Sequence, residues 1–188
     1  SDVEHRVVTN RLGGYVRGYA RLPGSTLHGA LPLSSAMCLD GEAALLLSGD
    51  VELSDFRPER ALFFDLETTG LPRGARIGGK PNTWQRRGPA AAAGTPLAFL
   101  IGALQLSSCG EVTIHQFLLR QQPDETAQLA AFSRLLEGVD YLVSFNGRSF
   151  DRNILADRMI RNRMDPERIL SLPHLDLLHP SARLYRQA

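Results

Sequence analysis

The alternation of apolar and polar positions is clearest in the second part of the chain, where it predicts five strands. In residues 61–71, the apolar residues Leu62, Phe63, Phe64 and Leu66 mark a short buried strand. The second and third predicted strands, at residues 97–106 and 111–119, are separated by a short turn, and this spacing predicts an antiparallel hairpin that extends the first strand. The other two predicted strands lie at residues 141–145 and 174–178.

Helical periodicity appears between and after these strands. Residues 124–138 carry an apolar stripe at helical spacing, with acids in the first turn and Gly138 at the end. A second helix is predicted at residues 149–163 and a third at 180–185. The resulting order of elements predicts an α/β fold, a five-stranded mixed sheet with its first three strands antiparallel and helices packed against it.

Residues 1–60 have a weaker pattern and are expected to form a β-rich lead-in that packs against a main domain at residues 61–188. The apolar pairs Val7-Val8 and Tyr15-Val16 and the stretches 44–47 and 51–53 are interpreted as short strands between Gly- and Pro-containing turns. Because the sequence begins with Ser, we expect it to be a piece of a longer gene product.

Two carboxylates interrupt the strand at 61–71 and give it a chemical interest. Asp65 and Glu67 are two residues apart, and this spacing places both side chains on one face of a strand. Adjacent acids repel each other unless a cation lies between them, and a hard divalent metal prefers oxygen ligands. Asp151 follows the turn after the fourth strand, where it is expected to join them. The pattern predicts a metal-dependent site that cleaves phosphodiesters.

Composition restricts the other possibilities. The 188 residues are 43% hydrophobic and 22% charged with a net charge of +1, so any contact with nucleic acid must be local. Cys38 and Cys109 do not have the spacing of a zinc site or a disulfide framework. No segment approaches the roughly 18 apolar residues of a membrane span, and no signal peptide is recognisable. We therefore expect a cytoplasmic protein without a membrane partner.

Residues 72–96 interrupt all periodicity and contain basic residues but no acid. One interpretation is an electrostatic arm for phosphates, with Trp84 as a stacking surface. The other is a surface insertion without a specific role. The sequence leaves both open. The basic residues are Arg73, Arg76, Lys80, Arg86 and Arg87.

The motifs resemble those of a known family, the DEDD 3′–5′ exonucleases of the ribonuclease H-like superfamily. The first exonuclease motif is matched by FDLETTG at residues 64–70, and the second by NGRSFD at residues 146–151. Within that superfamily the chain is most similar to the bacterial YprB-like branch, which residues 100–102, 116–120 and 174–178 resemble. The resemblance covers about residues 61–186 and implies a ribonuclease H-like fold.

The resemblance also implies ligands, cofactors and a substrate. Asp65, Glu67 and Asp151 would be three of four acidic ligands for two Mg²⁺ or Mn²⁺ ions, which promote hydrolysis at the 3′ end of single-stranded DNA or RNA. Asn146 has an alternative role as a left-handed turn residue, and Phe150 has one as a core residue. The substrate contacts implied by the resemblance are Thr68, Thr69, Gly70, Leu71, Asn146 and Phe150.

One part of the family pattern is missing. The third motif, with the fourth acid and a Tyr or His general base, has no match before Ala188. Asp176 matches a strand-associated Asp of the family rather than that ligand, and His174 and His179 do not match the base. The sequence therefore predicts either a nuclease truncated at its carboxyl terminus or a catalytically impaired nucleic-acid-binding module that keeps the fold.

Overall fold

A seven-stranded mixed sheet forms the centre of the protein. The structure is a computed structural model that describes residues 3–69 and 96–185. The strands are β1 (Glu4–Asn10), β2 (Gly13–Leu22), β3 (Leu27–His28), β4 (Leu31–Pro32), β5 (Ala61–Thr68), β6 (Ala98–Leu106), β7 (Val112–Leu119), β8 (Tyr141–Ser144) and β9 (His174–Asp176). Their order across the sheet is β1-β2-β7-β6-β5-β8-β9, and β3 pairs with β4 alone. The β5–β8 and β8–β9 pairs are parallel, and the other pairs are antiparallel.

The helices lie mostly in the second part of the chain. They are α1 (Gly41–Ser48), α2 (Glu125–Leu136), α3 (Asp151–Arg161), α4 (Glu167–Ser171) and α5 (Leu178–Tyr185). The mixed sheet with flanking helices confirms the predicted fold class. Among the residues that the structure describes, no helix is long and apolar enough to cross a membrane.

The predicted number of five strands was wrong, because β1 and β2 of the lead-in join the same sheet. The prediction of strands around Val7-Val8 and Tyr15-Val16 is confirmed, but β2 also hydrogen-bonds to β7 along its length, from Tyr15 opposite Leu119 to Leu22 opposite Val112. Most of β1 is exposed, so its apolar signal is weak. The local pattern of apolar residues predicts a hairpin but does not predict which distant strand the hairpin will pair with.

Two other predicted strands of the lead-in are helical. Residues 44–47 lie in α1, and residues 51–53 form a 3₁₀ turn. The Asp40 carboxylate accepts a hydrogen bond from Ala43 N at 2.9 Å, and Gly49 ends α1 in the left-handed conformation. These caps decide the structure of an apolar run whose periodicity fits a strand equally well.

Each face of the sheet packs against a different part of the chain. One face packs against α2, α3 and α4 in the larger hydrophobic cluster. On the other face, Leu53 and Phe56 of the lead-in pack with Val143 and Leu175 in a second buried cluster. Burial of this apolar area stabilises β5, β8 and β9, the three strands that carry the candidate site. The division between a lead-in and a main domain at residue 60 stays a prediction.

A buried polar network fixes α3 against α2. The Arg158 guanidinium donates two hydrogen bonds of 2.5 Å to the Glu125 carboxylate, and Asn162 Nδ2 donates to the same carboxylate at 2.7 Å. The Arg158 and Glu125 side chains are 10% and 4% exposed, so the pair is desolvated and depends on this complementarity. The network holds the helix whose first residue is Asp151.

Candidate active site at the carboxyl ends of β5 and β8

Strand β5 presents two acids on one face, as the spacing predicts. Leu62, Phe64 and Leu66 are buried, whereas Asp65 and Glu67, which alternate with them, are exposed. On the neighbouring strand, Gly102 is the Cα partner of Asp65. A β-bulge between Glu67 and Thr68 then shifts the register at the end of the strand. The two carboxylates therefore lie side by side next to an irregular strand end.

The loop after β8 is held by a carboxylate of β9. Asp176 Oδ1 accepts a hydrogen bond from Asn146 N at 2.7 Å, and Asp176 Oδ2 accepts one from Arg148 N at 3.0 Å. Asp176 Oδ1 also accepts from Leu178 N at 3.1 Å, at the start of α5. One side chain thus fixes both the loop and the following helix.

Asn146 and Gly147 have the backbone conformation and the size that this loop requires. Asn146 has φ 66°, a left-handed conformation that Asn tolerates better than most residues. A Cβ atom on Gly147 would lie 2.5 Å from Ser144 Oγ and 3.0 Å from Asp151 Oδ2. Only glycine allows the chain to pass this close to Asp151. The turn interpretation of Asn146 is confirmed, and its contact with substrate stays a prediction.

Asp151 is the buried acid of the site and is only 5% exposed. Burial, together with the negative charges of Asp65, Asp176 and Glu67, raises the pKa of its carboxyl from 3.8 to about 7. Burial is the largest of these causes, because it removes water from the charged form. The three acids predicted from the sequence are therefore close enough to act on one another, and Asp176 joins them.

The acids have the donor chemistry that a hard divalent cation prefers, because all four supply carboxylate oxygens. Within residues 3–69 and 96–185, however, no three His, Cys, Asp or Glu side chains are arranged as a ready-made metal site. The carboxylates converge without forming a closed set of ligands. Which of them bind metal stays a prediction.

Sequence reasoning missed the role of Asp176 in the loop. The signal that could have found it is an Asp two residues before Leu178 N, a spacing typical of a side chain that caps the following turn. The long-range bonds to Asn146 and Arg148 have no such local signal, because they join residues 30 and 28 positions apart.

His174 is a buried residue that holds the loop after β8 through Ser144. It is 2% exposed, its Nε2 lies 2.8 Å from Ser144 Oγ, and Ser144 Oγ accepts a hydrogen bond from Gly147 N at 3.1 Å. Burial first, and then the positive charge of Arg152, lowers the pKa of His174 to about 4. The imidazole is therefore neutral near pH 7 and holds the loop rather than carrying charge.

Two further histidines, His115 and His179, lie in β7 and α5. His115 is buried in β7 and stacks on Phe117 with ring centroids 6.2 Å apart, so it is a packed histidine. Burial, and then the charge of Arg17, lowers the pKa of His115 to about 4. His179 is exposed in the first turn of α5, which begins two residues before the predicted helix at 180–185.

The remaining predicted substrate contacts are placed unevenly. Thr69 N donates to Leu97 O at 3.0 Å and Thr69 Oγ1 accepts from Leu97 N at 3.1 Å, so Thr69 joins the two strand ends. Thr68 is half-buried at the end of β5, and Phe150 packs partly against the larger core cluster. Gly70 and Leu71 lie outside the described residues, as do Trp84 and the basic residues of the segment 72–96.

Comparison with known proteins identifies the family. A sequence model described as the RNase H superfamily matches residues 91–187, about half of the chain, and this match includes Asp151 but not Asp65 or Glu67. The chain is 30% identical over 142 residues to the "Uncharacterized protein YprB" of Bacillus subtilis (strain 168). That similarity covers 74% of this chain but only 29% of the relative, so the chain spans less than a third of its length.

Proposed function

The chain belongs to the RNase H superfamily, and from this premise we propose that it is a metal-dependent 3′–5′ exonuclease domain acting on DNA or RNA. Members of this superfamily are generally hydrolytic nucleases. The observation that carries the proposal is the environment of Asp151, a buried carboxyl whose pKa is raised to about 7 by burial and by Asp65, Asp176 and Glu67. Groups with pKa values perturbed in this way are typical of functional sites.

Asp65, Glu67 and Asp151 are the residues that would hold Mg²⁺ or Mn²⁺. The ions, two in the proposed mechanism, would supply the positive charge that activates a water and stabilises the leaving 3′ oxygen. The carboxylates would contribute fixed negative charge on either side of the site, from β5 and from the start of α3. Asp176 and Gly147 would keep Asp151 in place, because one holds the loop and the other leaves room for it.

The proposed contacts with the 3′-terminal nucleotide come from both motifs. Asn146 is exposed at the loop and is well placed to meet a phosphate or sugar. Phe150 is half-buried and leaves part of its ring for a base. The segment 72–96 is proposed as a phosphate-binding arm on its composition alone. A cytoplasmic location and the assignment of residues 61–188 as the nuclease domain belong to the same proposal. The proposed contacts are Thr68, Thr69, Gly70, Leu71, Asn146 and Phe150.

The test is cleavage by the full-length protein of single-stranded DNA and RNA in Mg²⁺ or Mn²⁺. Substrates labelled at the 5′ end should shorten stepwise from the 3′ end. A phosphorothioate linkage at the 3′ end should slow this shortening. Asp65→Asn and Asp151→Asn should each lower kcat/KM more than about 100-fold, because each removes a charged oxygen that would hold the metal. Glu137→Gln is the matched control and should cleave like wild type, because Glu137 is an exposed acid just after the end of α2.

Three outcomes would count against this function. Cleavage by Asp65→Asn at the wild-type rate would show that this site does not carry out the reaction. Release from internal positions or from the 5′ end would keep the nuclease and overturn the polarity. Tight binding of oligonucleotides without cleavage in either metal would favour the alternative of a catalytically impaired binding module.

A further inference from the structure

We propose that Gly102 is a clearance residue, one whose missing side chain leaves the sheet surface beside Asp65 open for the nucleic-acid strand. The inference rests on the proposed function for the identity of the substrate. Gly102 lies on β6, outside both acidic motifs, and in this proposal it decides how closely the nucleic-acid strand approaches the acids.

Gly102 lies directly beside the acids in the sheet. It is the Cα partner of Asp65 across the antiparallel β5–β6 pair. Residues paired in this way project from the same face, with Cβ atoms about 4.5–5.5 Å apart. A side chain at position 102 would therefore project from the sheet next to the Asp65 carboxylate.

The fold itself does not require glycine at this position. Gly102 is not among the described glycines with positive φ. A Cβ atom added to it would meet only the Asp65 backbone oxygen, at 3.8 Å, which is an ordinary contact. The β-bulge of this strand pair lies between Glu67 and Thr68 rather than at Gly102. A strand interior favours β-branched residues, so an unforced glycine there indicates a close approach by another molecule.

Other glycines show what a structural requirement looks like. A Cβ atom on Gly18, two strands away in the same row, would lie 2.9 Å from Gln116 Oε1, and one on Gly147 would lie 2.5 Å from Ser144 Oγ. Gly147 is required by packing, and a Cβ atom at Gly18 would force the Gln116 side chain to move. At Gly102 the corresponding space is empty.

The empty space is part of a groove that reaches Asp65. The groove has a volume of about 320 Å³ and is lined by Asp65 and Gly102 together with apolar side chains that include Phe63, Leu104 and Phe145. Phe145 is 60% exposed and stands directly before Asn146. Apolar walls with an acid at one side suit the sugar and base of a nucleotide whose phosphate lies at the carboxylates. A side chain at position 102 would occupy this groove.

The test is a size series at position 102 in the full-length protein: Gly102→Ala, Gly102→Val and Gly102→Leu. We expect kcat/KM for single-stranded oligonucleotides to fall with side-chain size, reaching about a 100-fold loss with Val, as a displacement of about 1 Å can cause. The melting temperature should stay equal to wild type or rise, and the affinity for Mn²⁺ alone should not change. Gly138→Val is the control, because Gly138 is exposed and nothing lies within 4 Å of its added Cβ.

Binding of an oligonucleotide in Ca²⁺ separates this inference from the proposed function. If wild type cleaves and the Val and Leu variants cleave equally well, the role of Gly102 is overturned and the nuclease stands. If wild type binds without cleaving and the series still loses affinity with size, the exonuclease fails and the clearance role stands. A melting temperature that falls in step with activity, or no binding by wild type, overturns the clearance role.

Discussion

Two buried carboxylates at opposite ends of α3 have nearly the same burial and opposite surroundings. Glu125, the first residue of α2, contacts Arg158 near the carboxyl end of α3 and is 3% exposed, and Asp151, the first residue of α3, is 5% exposed. Glu125 is paired with Arg158 and Asn162. Among the described residues no cation pairs with Asp151, whose neighbours include Asp65 and Asp176.

The difference separates structure from function. A buried charge that is fully paired needs nothing further from solvent or ligand. A buried acid among other acids disfavours its own ionisation, and it stays in a fold only if the rest of the structure holds it there. Here the network around Glu125 stabilises the helix that keeps Asp151 in its unfavourable place.

The largest effect is expected from breaking the paired end. Glu125→Ala should lower the free energy of unfolding by about 3–5 kcal/mol, because the Arg158 guanidinium is left buried without its partner. Chemical denaturation measures this loss. Asp157→Ala removes the exposed ion pair with Arg161 on the same helix and should lower stability by less than about 1 kcal/mol. Equal losses in the two variants would contradict the structural role of the Glu125 network.

Replacing Asp151, the acid without a cationic partner among the described residues, should raise stability rather than lower it. The pKa of Asp151 is higher in the folded protein, about 7, than its ordinary value of 3.8. The folded state therefore binds the proton more tightly, and this contribution to stability is complete below pH about 3.8 and is lost as the pH rises through about 7. Asp151→Asn should abolish that loss and melt above wild type at pH 8 without metal.

Divalent metal should reverse this ranking at pH 8. At 100 times its dissociation constant, Mg²⁺ should stabilise wild type by about 2.7 kcal/mol and Asp151→Asn by much less. The measurement is the difference between the two proteins in denaturation at each pH. His115 and His174 titrate in both proteins, so their contribution cancels in that difference. A metal-free Asp151→Asn variant that melts below wild type at pH 8 would show that Asp151 is stabilising, contrary to this view.

The smallest effect concerns the acid that holds the loop. Asp176→Asn should lower kcat/KM about 10-fold, because its amide group cannot accept both hydrogen bonds from Asn146 N and Arg148 N. It should also lower the pKa of Asp151, since one negative charge is removed. Asp165→Asn is the control. The Asp165 carboxylate accepts a hydrogen bond of 2.9 Å from Glu167 N at the start of α4 and is not one of the four acids of the site. A loss of 1,000-fold or more would instead favour Asp176 as a metal ligand.

Much of the main sheet could be predicted from the sequence. Strands β5 to β9 and helices α2 and α3 follow from apolar periods of two and of 3.6 residues, which are properties of short stretches. The lead-in could not be predicted as well, because α1 depends on its caps at Asp40 and Gly49, and β2 depends on a partner nearly 100 residues away in β7.

For the site, the sequence by itself determined that Asp65 and Glu67 share a face, because successive side chains in a strand alternate. It also supplied Asn146 and Gly147, the residues that a left-handed, tightly packed turn needs. Only the tertiary structure decided that Asp151 is buried near those acids, that Asp176 of β9 holds the loop, and that Gly102 lies beside Asp65. The physical reason is that burial, charge–charge interaction and strand register arise between segments far apart in the chain.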